Sequence, residues 1–227
     1  MRMAMAAELP DDPEAAVALQ DRLRGQVDPT DPAPPRFETV AGLDSAYDEQ
    51  GNVVAVVVVL DTATLEPIDR ATAHGTTQFP YIPGLLAFRE LPTILTALEK
   101  LDTTPDLMVC DGQGLAHPRR FGLACHLGLL TGLPTMGVAK SLWGNACEPG
   151  PERGSMSDIL LDDEVVGRAV RTQPGVKPVF VSVGHHISLD TACATTLALA
   201  PRYRQPETTR RADHLCRTLL REKALPR

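Results

Sequence analysis

Four acidic residues are spaced along the chain so that each falls at the end or in the middle of a predicted core element. They are Asp44, Glu90, Asp111 and Asp213. Hard divalent cations such as Mg²⁺ prefer oxygen ligands and usually take one or two protein carboxylates. Two such ions about 4 Å apart, bridged by an aspartate, can activate a water for phosphodiester cleavage. The acids therefore predict a Mg²⁺ site, with Mn²⁺ as the alternative ion. Spacing alone also allows scattered helix caps and salt-bridge partners.

A stiff loop precedes the second of these acids. Pro80 and Pro83 fix their own φ angles and restrict the residues before them, so they can hold Tyr81 and Ile82 outward at little entropic cost. A glycine then permits a sharp exit into a helix-favouring run, which places Glu90 roughly 9 Å along the helix axis. The stretch predicts a rigid unit that carries an apolar wedge and a carboxylate. An ordinary turn that packs an aromatic side chain into the core is the alternative.

One lysine and three histidines complete the chemically capable set. Lys140 follows an apolar strand with no acid adjacent in sequence, which suits a phosphate partner better than a solvated surface lysine. His117, His185 and His186 are able to bind a metal. A lone histidine is more often a hydrogen-bonded part of the structure, and this is the interpretation that we favour.

The elements that position these residues begin with three strand-like runs at 37–47, 52–60 and 68–77, separated by turn signals. They predict an antiparallel three-stranded meander. The middle run is almost all valine and apolar on both sides, so helices should cover both faces of the sheet. Asp44 lies in the first run, where a buried aspartate must be paired, hydrogen-bonded or bound to a metal.

Alternating strands and helices follow the meander. A short buried strand ends before Asp111 and enters a glycine-rich turn, and a helix is predicted from about 118 to 130. Sites in open α/β sheets form beyond the strand C-termini, where this pattern places Asp111. Pro92 demands either a kink after Glu90 or a fresh helix start. The remaining predicted elements are strands at 134–140, 157–161, 165–172 and 179–186, a loop at 142–154, and helices at 189–199 and 208–225. The order predicts an α/β fold with a mixed sheet.

Length and composition indicate one globular domain, because 227 residues with 43% hydrophobic content can bury a sizeable core. Residues 37–227 are predicted to form this domain. Residues 1–36 are predicted to be an appended leader, with a helix that ends by Gly25 and a proline-rich linker at 28–35.

The formal charge of −7 argues against nucleic-acid binding through bulk positive charge. The C-terminal end weakens this argument, since eight basic residues crowd 202–227 against only three acids. No apolar run approaches the roughly 20 residues that a membrane span needs, and the first nine residues lack a secretory core, so we expect a cytoplasmic protein. Five cysteines without a C-x-x-C pair indicate reduced thiols rather than a zinc site or disulfides.

Five ordered blocks of this sequence together resemble the endonuclease V family of deoxyinosine-directed nucleases. The blocks are GLD at 42–44, PYIPG through FRE at 80–90, DGQG with HP at 111–118, GVAKS at 137–141 and SVGHHISL at 182–189. The resemblance covers roughly residues 37–221, and its PYIPG motif is specific. It implies an RNase H-like fold and Mg²⁺-dependent hydrolysis of the second phosphodiester 3′ to a deaminated adenine, leaving 3′-hydroxyl and 5′-phosphate ends.

The resemblance also assigns roles to individual residues. It implies that Asp44, Glu90, Asp111 and Asp213 are catalytic and metal-binding, with His214 as the alternative to Asp213, and that Lys140 is the catalytic lysine. By the same resemblance, Tyr81 is the wedge that fills the space left by an extruded base. The residues predicted to contact the substrate are Tyr81, Ile82, Pro83, Gly84, Gly112, Gly114, His117, Gly137, Lys140 and Leu142.

The glycines among these residues would supply backbone donors and acceptors around a small planar base. Hypoxanthine carries a carbonyl where adenine carries an amine, so a backbone N–H would donate a hydrogen bond to the first and repel the second. The implied partner is DNA that contains deoxyinosine, bound by a monomer. The alternatives are an inosine-specific endoribonuclease or another RNase H-like nuclease, and a non-catalytic nucleic-acid-binding module. An α/β hydrolase is disfavoured because no G-x-S-x-G sequence occurs.

Overall fold

The computed structural model describes residues 7–32 and 36–224. Its strands are β1 (Thr39–Tyr47), β2 (Asn52–Asp61), β3 (Pro67–Thr76), β4 (Leu107–Cys110), β5 (Thr135–Ala139), β6 (Asn145–Ala146), β7 (Met156–Leu161), β8 (Glu164–Val170) and β9 (Val179–His185). Its helices are α1 (Pro13–Leu23), α2 (Leu86–Leu98), α3 (Leu123–Thr131), α4 (Leu189–Leu199) and α5 (Glu207–Ala224), and a 3₁₀ turn at Arg24–Gln26 follows α1.

The described strands form one sheet in the order β3-β2-β1-β4-β5-β9-β8-β7-β6. The first three strands form an antiparallel meander, β1, β4 and β5 run parallel, and β9 returns antiparallel to β5. This arrangement confirms the predicted mixed sheet of a meander continued by parallel strands. Strand β6 lies in the stretch predicted as a loop, because its two residues are too few to leave a pattern in the sequence.

Helices cover both faces of the valine-rich strand β2, as predicted. Ala55, Val57 and Val59 point to one face of the sheet and pack with residues of α2 and α3, such as Leu91 and Leu127. Val56 and its neighbours pack on the opposite face with residues of α4 and α5, such as Ala192 and Ala212. The two layers explain why the strand is apolar throughout rather than alternating.

Two helix predictions need correction. Pro92 lies inside the single helix α2, so a fresh helix start at this point is wrong; nine buried residues hold α2 on the sheet and override the local break. Helix α3 begins at Leu123 rather than near Pro118. The preceding residues form turns in which Arg120 N donates to His117 O, and Gly122 is still extended with ψ −171°.

The N-terminal segment packs on the core of the domain. Helix α1 is capped by Asp12, whose carboxylate accepts a hydrogen bond from Ala15 N at 2.8 Å. Its buried residues Ala16, Leu19 and Leu23 join a cluster with aromatic side chains of the chain's middle part, among them Phe88. Burial of this face fixes α1 against the core.

The segment after α1 is fastened to the turn between β9 and α4. His186 N donates to Asp28 O at 2.7 Å, and Ser188 N donates to the Asp31 carboxylate, also at 2.7 Å. Residues 33–35 of the predicted linker lie outside the described residues. Within the described part of the chain, none of the helices has the length and hydropathy required to cross a bilayer.

His126 on α3 is buried between Phe88 and Phe121, and neither of its ring nitrogens finds a hydrogen-bond partner among the described residues. Burial lowers its pKa from 6.5 to about 4, so the folded ring stays neutral where the unfolded one takes up a proton. The contribution of the neutral His126 ring to the free energy of unfolding is therefore fully present above about pH 6.5 and is lost as the pH falls toward about 4.

Replacing this residue, in His126→Leu, should raise the thermal midpoint at pH 7.5, because two unpaired buried nitrogens cost about 1–3 kcal/mol. The variant should also lose less stability than the wild type between pH 7 and 5. Thermal unfolding at several pH values measures both effects, and His74→Leu on the exposed side of β3 is the matched control. A lower midpoint for His126→Leu would contradict the unpaired state of the ring.

Candidate active site

Three aspartates meet where the parallel pairing of β1 with β4 ends: Asp44 lies within β1, Asp111 follows β4 and Asp213 lies on α5. Leu43 of β1 is paired with Cys110 of β4 in parallel register, so the residues that follow, Asp44 and Asp111, lie side by side. Helix α5 brings Asp213 to the same place. One carboxylate oxygen from each of the three aspartates lies within 4.8 Å of the others.

A glycine on β1 lets helix α5 approach closely enough to deliver Asp213. A Cβ atom at Gly42 would lie 2.2 Å from the backbone carbonyl of Thr208, so any side chain there would push the first turn of α5 away from the sheet. The GLD block thus combines a metal-binding side chain with the space that the last helix needs.

The negative charges of the three aspartates repel one another. Burial and the neighbouring Asp111 charge raise the pKa of Asp44 to about 8. Burial also raises the pKa of Asp111, although Lys140 opposes the shift. Clustered carboxylate oxygens in a partly buried place fit a hard divalent cation, which would relieve this repulsion. The described residues therefore support a divalent metal site at Asp44, Asp111 and Asp213.

Lys140 lies directly after β5, next to the aspartates. Its Nζ atom is 2.6 Å from Asp111 Oδ2 and 3.6 Å from Asp213 Oδ1. Burial alone would lower the pKa of Lys140, but the hydrogen bond and charge of Asp111 outweigh it and the pKa rises. The lysine thus stays charged beside the acids, a pairing that the sequence neighbourhood of Lys140 did not reveal.

The structure distinguishes the two candidates for the fourth acidic position. Asp213 faces the other aspartates, and Arg217 contacts the same carboxylate with Nη2 at 2.9 Å. His214 is exposed and contributes no atom to the group. The preference for Asp213 over His214 therefore agrees with the geometry.

Glu90 lies near the aspartates but outside their group. Its side chain is 4% exposed, and burial raises its pKa to about 8. Tyr47 at the end of β1 donates its hydroxyl to Glu90 Oε1 at 2.9 Å, and the Arg89 guanidinium lies 5.0 Å from the centre of the tyrosine ring. Tyr47 therefore orients Glu90, a contact that the sequence analysis missed because the two residues are far apart in the chain.

Removing that hydroxyl, in Tyr47→Phe, should lower the catalytic activity of this site about 10- to 100-fold, the range for partners that orient site carboxylates. The loss should appear in kcat rather than KM, since Tyr47 does not line the cleft described below. Steady-state kinetics separate the change in kcat from the change in KM. Tyr203→Phe, an exposed tyrosine on the connection between α4 and α5, is the control. Unchanged kcat in Tyr47→Phe would show that Glu90 does not depend on it.

The proline-flanked loop presents its aromatic residue to solvent. Tyr81 is 71% exposed, as predicted, whereas Ile82 is partly buried against the cluster under α1. The base of the loop is fixed by Phe79, which stacks on Phe88 with ring centres 5.6 Å apart and accepts a hydrogen bond from Arg89 through its carbonyl. The loop is thus a rigid projection rather than a core-packing turn.

A cleft of about 600 Å³ begins at Tyr81 and ends at Asp111 and Lys140. It is lined by Gln20, Tyr81, Ile82, Pro83, Gly84, Leu86, Ala87, Asp111, Gly112, Gln113, His117, Gly122, Leu123, Ala139, Lys140, Ser141, Leu142 and Trp143. One continuous depression therefore joins the projecting loop to the acidic site.

His117 holds the cleft wall rather than a metal. Its Nε2 atom is 2.9 Å from the carbonyl of Gly84, which can only accept, and its Nδ1 accepts from Arg119 N at 3.1 Å. These partners assign the neutral tautomer with the proton on Nε2. Burial lowers the pKa of His117 to about 4, in agreement with that neutral form.

Comparison with known proteins gives one consistent result. A sequence profile of the endonuclease V family matches residues 21–214. An endonuclease V of Nocardia farcinica is 67% identical over 214 residues, which cover 94% of this chain and 95% of the relative. The chain belongs to the endonuclease V family. As an endonuclease V it is a nuclease that acts on DNA, so the alternative of a non-catalytic binding module is wrong.

Solved endonuclease V structures share the whole fold. The crystal structure of the Streptomyces avermitilis protein has a TM-score of 0.90 and 58% identity, and the match covers 97% of this chain and 98% of that chain. The Ciona intestinalis endonuclease V, solved with a 24mer DNA containing an inosine followed by a ribo-adenosine, has a TM-score of 0.82 and 30% identity. That match covers 93% of this chain and 100% of the Ciona chain.

This endonuclease V places most of its predicted substrate contacts in the cleft, but two glycines lie behind the wall. A Cβ at Gly114 would lie 1.9 Å from Val183 O, and one at Gly137 would lie 2.4 Å from Gly112 O. Both glycines serve close packing of the glycine-rich turn on β5 and β9, and neither lines the cleft.

The cleft also contains residues that the sequence analysis missed, namely Gln20, Gln113 and Trp143. Trp143 could have been found, because it is the only tryptophan and follows the strand-end lysine by three residues. Gln20 left no such signal, since its partners lie far along the chain.

Proposed function

We propose that this endonuclease V cleaves DNA at deaminated adenine, hydrolysing the second phosphodiester 3′ to deoxyinosine with Mg²⁺, or Mn²⁺ in its place. The products would carry 3′-hydroxyl and 5′-phosphate ends. The observation that carries the proposal is the continuous cleft from the exposed Tyr81 to Asp111 and Lys140. Along this one cleft lie the wedge residue, a pocket large enough for a base and the acidic site.

The base step uses the first half of the cleft. Tyr81 would enter the duplex and occupy the space of the extruded base, which offsets part of the few kcal/mol that unstacking costs. Gly84 and Gly112 line the pocket behind it. The Gly84 carbonyl and the Gly112 N–H are bonded within the protein, so the Gly84 N–H and the Gly112 carbonyl are the backbone groups that would read the edge of a planar base. The inosine-containing DNA bound by the Ciona intestinalis relative supports this assignment.

The phosphodiester step uses the second half. Asp44, Asp111 and Asp213 would hold the divalent ion, which when bound supplies an activated water and stabilises the leaving oxygen. Lys140 keeps a positive charge at the end of the cleft, where it would contact a phosphate oxygen. Glu90, oriented by Tyr47, completes the acidic site from the side of α2.

A nicking assay tests this function. Duplexes with one deoxyinosine, with deoxyadenosine at the same position, and with inosine in an RNA strand are incubated with Mg²⁺, Mn²⁺ or EDTA. We expect a single nick at the second phosphodiester 3′ to the lesion. It should appear only in the strand that contains deoxyinosine, and no nick should appear in EDTA. Preferential cleavage of the RNA would favour the endoribonuclease, and cleavage in EDTA would contradict the metal site.

The proposal includes action by a monomer in the cytoplasm. The cytoplasmic location is supported by the five cysteines of the described residues, all of which are free and four of which are buried. Sedimentation at the concentrations of the nicking assay measures the oligomeric state, and a dimer would contradict the monomer.

A further inference from the structure

Gln20 is a buried amide on helix α1, with only 1% of its surface exposed. Its Nε2 atom donates to Phe121 O at 2.9 Å and to Gly84 O at 3.1 Å, and its Oε1 accepts from Arg119 Nε at 2.6 Å. The two carbonyls only accept and the guanidinium only donates, so the orientation of the amide is fixed. Every polar atom of the side chain is used to hold another segment.

The carbonyl of Gly84 is the point where these contacts meet. It accepts from Gln20, from His117 Nε2 at 2.9 Å and from Arg119 Nη2 at 2.8 Å. Gly84 has φ +86°, a conformation that favours glycine, and forms the corner between the loop that carries Tyr81 and the start of α2. Three donors on one carbonyl lock that corner.

The second carbonyl held by Gln20 belongs to the opposite wall of the cleft. Phe121 precedes Gly122, which lines the cleft and donates its N–H to Gly114 O at 3.0 Å. Gln20 therefore connects the wall that carries the wedge with the wall formed by the glycine-rich turn. Together with His117 and Arg119, which hold the same Gly84 carbonyl, Gln20 fixes the width of the pocket between them.

We propose that Gln20 is a positioning residue for base selection, which makes helix α1 part of the base pocket although the other pocket residues lie beyond residue 80. The inference rests on the proposed cleavage at deoxyinosine. A pocket that rejects adenine must hold its backbone groups within a fraction of an ångström, because hydrogen-bond discrimination fails when the wall moves. The Gln20 amide supplies that constraint from outside the matched residues 21–214.

Gln20→Met is the direct test, since methionine has similar length and volume but cannot hydrogen-bond to the two carbonyls. We expect the ratio of kcat/KM for deoxyinosine over deoxyadenosine to fall about tenfold. KM for the deoxyinosine strand should rise while kcat at saturation stays near the wild-type value, because Gln20 touches neither the aspartates nor Lys140.

A second measurement does not depend on cleavage. Trp143 is the only tryptophan of the chain and lines the same cleft, so its fluorescence should change when a base enters. Titration with a deoxyinosine oligonucleotide in EDTA should give a dissociation constant that is about tenfold weaker for Gln20→Met than for the wild type.

Leu19→Ala is the matched control, because it truncates a buried side chain one residue earlier on the same helix. It should lower the thermal midpoint without changing the ratio. All assays are run well below the lower midpoint of the two variants. An unchanged ratio in Gln20→Met, or an equal loss in Leu19→Ala, would overturn the positioning role. A wild-type chain that cleaves both strands equally would instead overturn the proposed function, so the two failures are distinguishable.

Discussion

Replacing Asp111 by asparagine should lower the nicking rate on deoxyinosine DNA by about a thousandfold or more. The substitution removes one anionic oxygen ligand and the ion-pair partner of Lys140, whose Nζ lies 2.6 Å away. A loss of about 4 kcal/mol of transition-state stabilisation, a reasonable share of what a metal site supplies, corresponds to about three powers of ten. Single-turnover rates with saturating enzyme measure the effect.

Binding and stability should separate from activity in this variant. Asp111→Asn leaves the first half of the cleft intact, so affinity for deoxyinosine DNA in EDTA should stay near the wild-type value. Its thermal midpoint should change little, because loss of the Lys140 ion pair is offset by relief of the repulsion with Asp44. Asp102→Asn, an exposed aspartate after α2, is the control. Full activity in Asp111→Asn would refute the site assignment.

Truncating the projecting tyrosine, in Tyr81→Ala, should weaken binding of deoxyinosine DNA by about 5- to 150-fold. This range follows from the roughly 1–3 kcal/mol that stacking between a base and an aromatic ring contributes. The thermal midpoint should hardly move, because the side chain is 71% exposed and belongs to none of the buried hydrophobic clusters of the described residues. Discrimination against undamaged strands should loosen as well, since the wedge stabilises the extruded state.

Phe79, two residues earlier on the same loop, provides a contrasting control. It is buried and stacks on Phe88, so Phe79→Ala should cost about 3–5 kcal/mol of stability, as large aromatic truncations in cores do. Thermal midpoints and dissociation constants for the two variants are measured together. A large drop in midpoint with unchanged affinity for Tyr81→Ala would show that Tyr81 acts as a core residue.

Strand periodicity predicted the centre of the site well. Asp44 and Asp111 follow or lie within apolar runs, and parallel strands carry their C-terminal residues to the same edge, so two of the acids could be placed together before the fold was known. Helix α5 could be predicted as a helix, but its position over β1 depends on contact between Gly42 and Thr208, which no local pattern encodes.

The contacts that the sequence did not predict are long-range and polar. Tyr47 orients Glu90, and Gln20 holds Gly84, across many intervening residues. A periodic pattern reports which face of an element is buried, whereas a single hydrogen bond between distant elements leaves no period. The late start of α3 has the same origin, because Gly122 is held extended by its bond to Gly114 O.

Three of the C-terminal arginines are engaged within the protein rather than left free for DNA. Arg210 and Arg211 both contact Glu207, and Arg217 contacts Asp213. These ion pairs lie along α5 and reduce the basic surface that the C-terminal end could offer to DNA.

The acidic site is complete only while α5 stays docked on the sheet. Asp44 belongs to β1 and Asp213 to α5, so a species with a formed sheet but an undocked α5 lacks one of the three aspartates. Local opening of α5 alone would therefore remove the nuclease activity while the sheet stays folded.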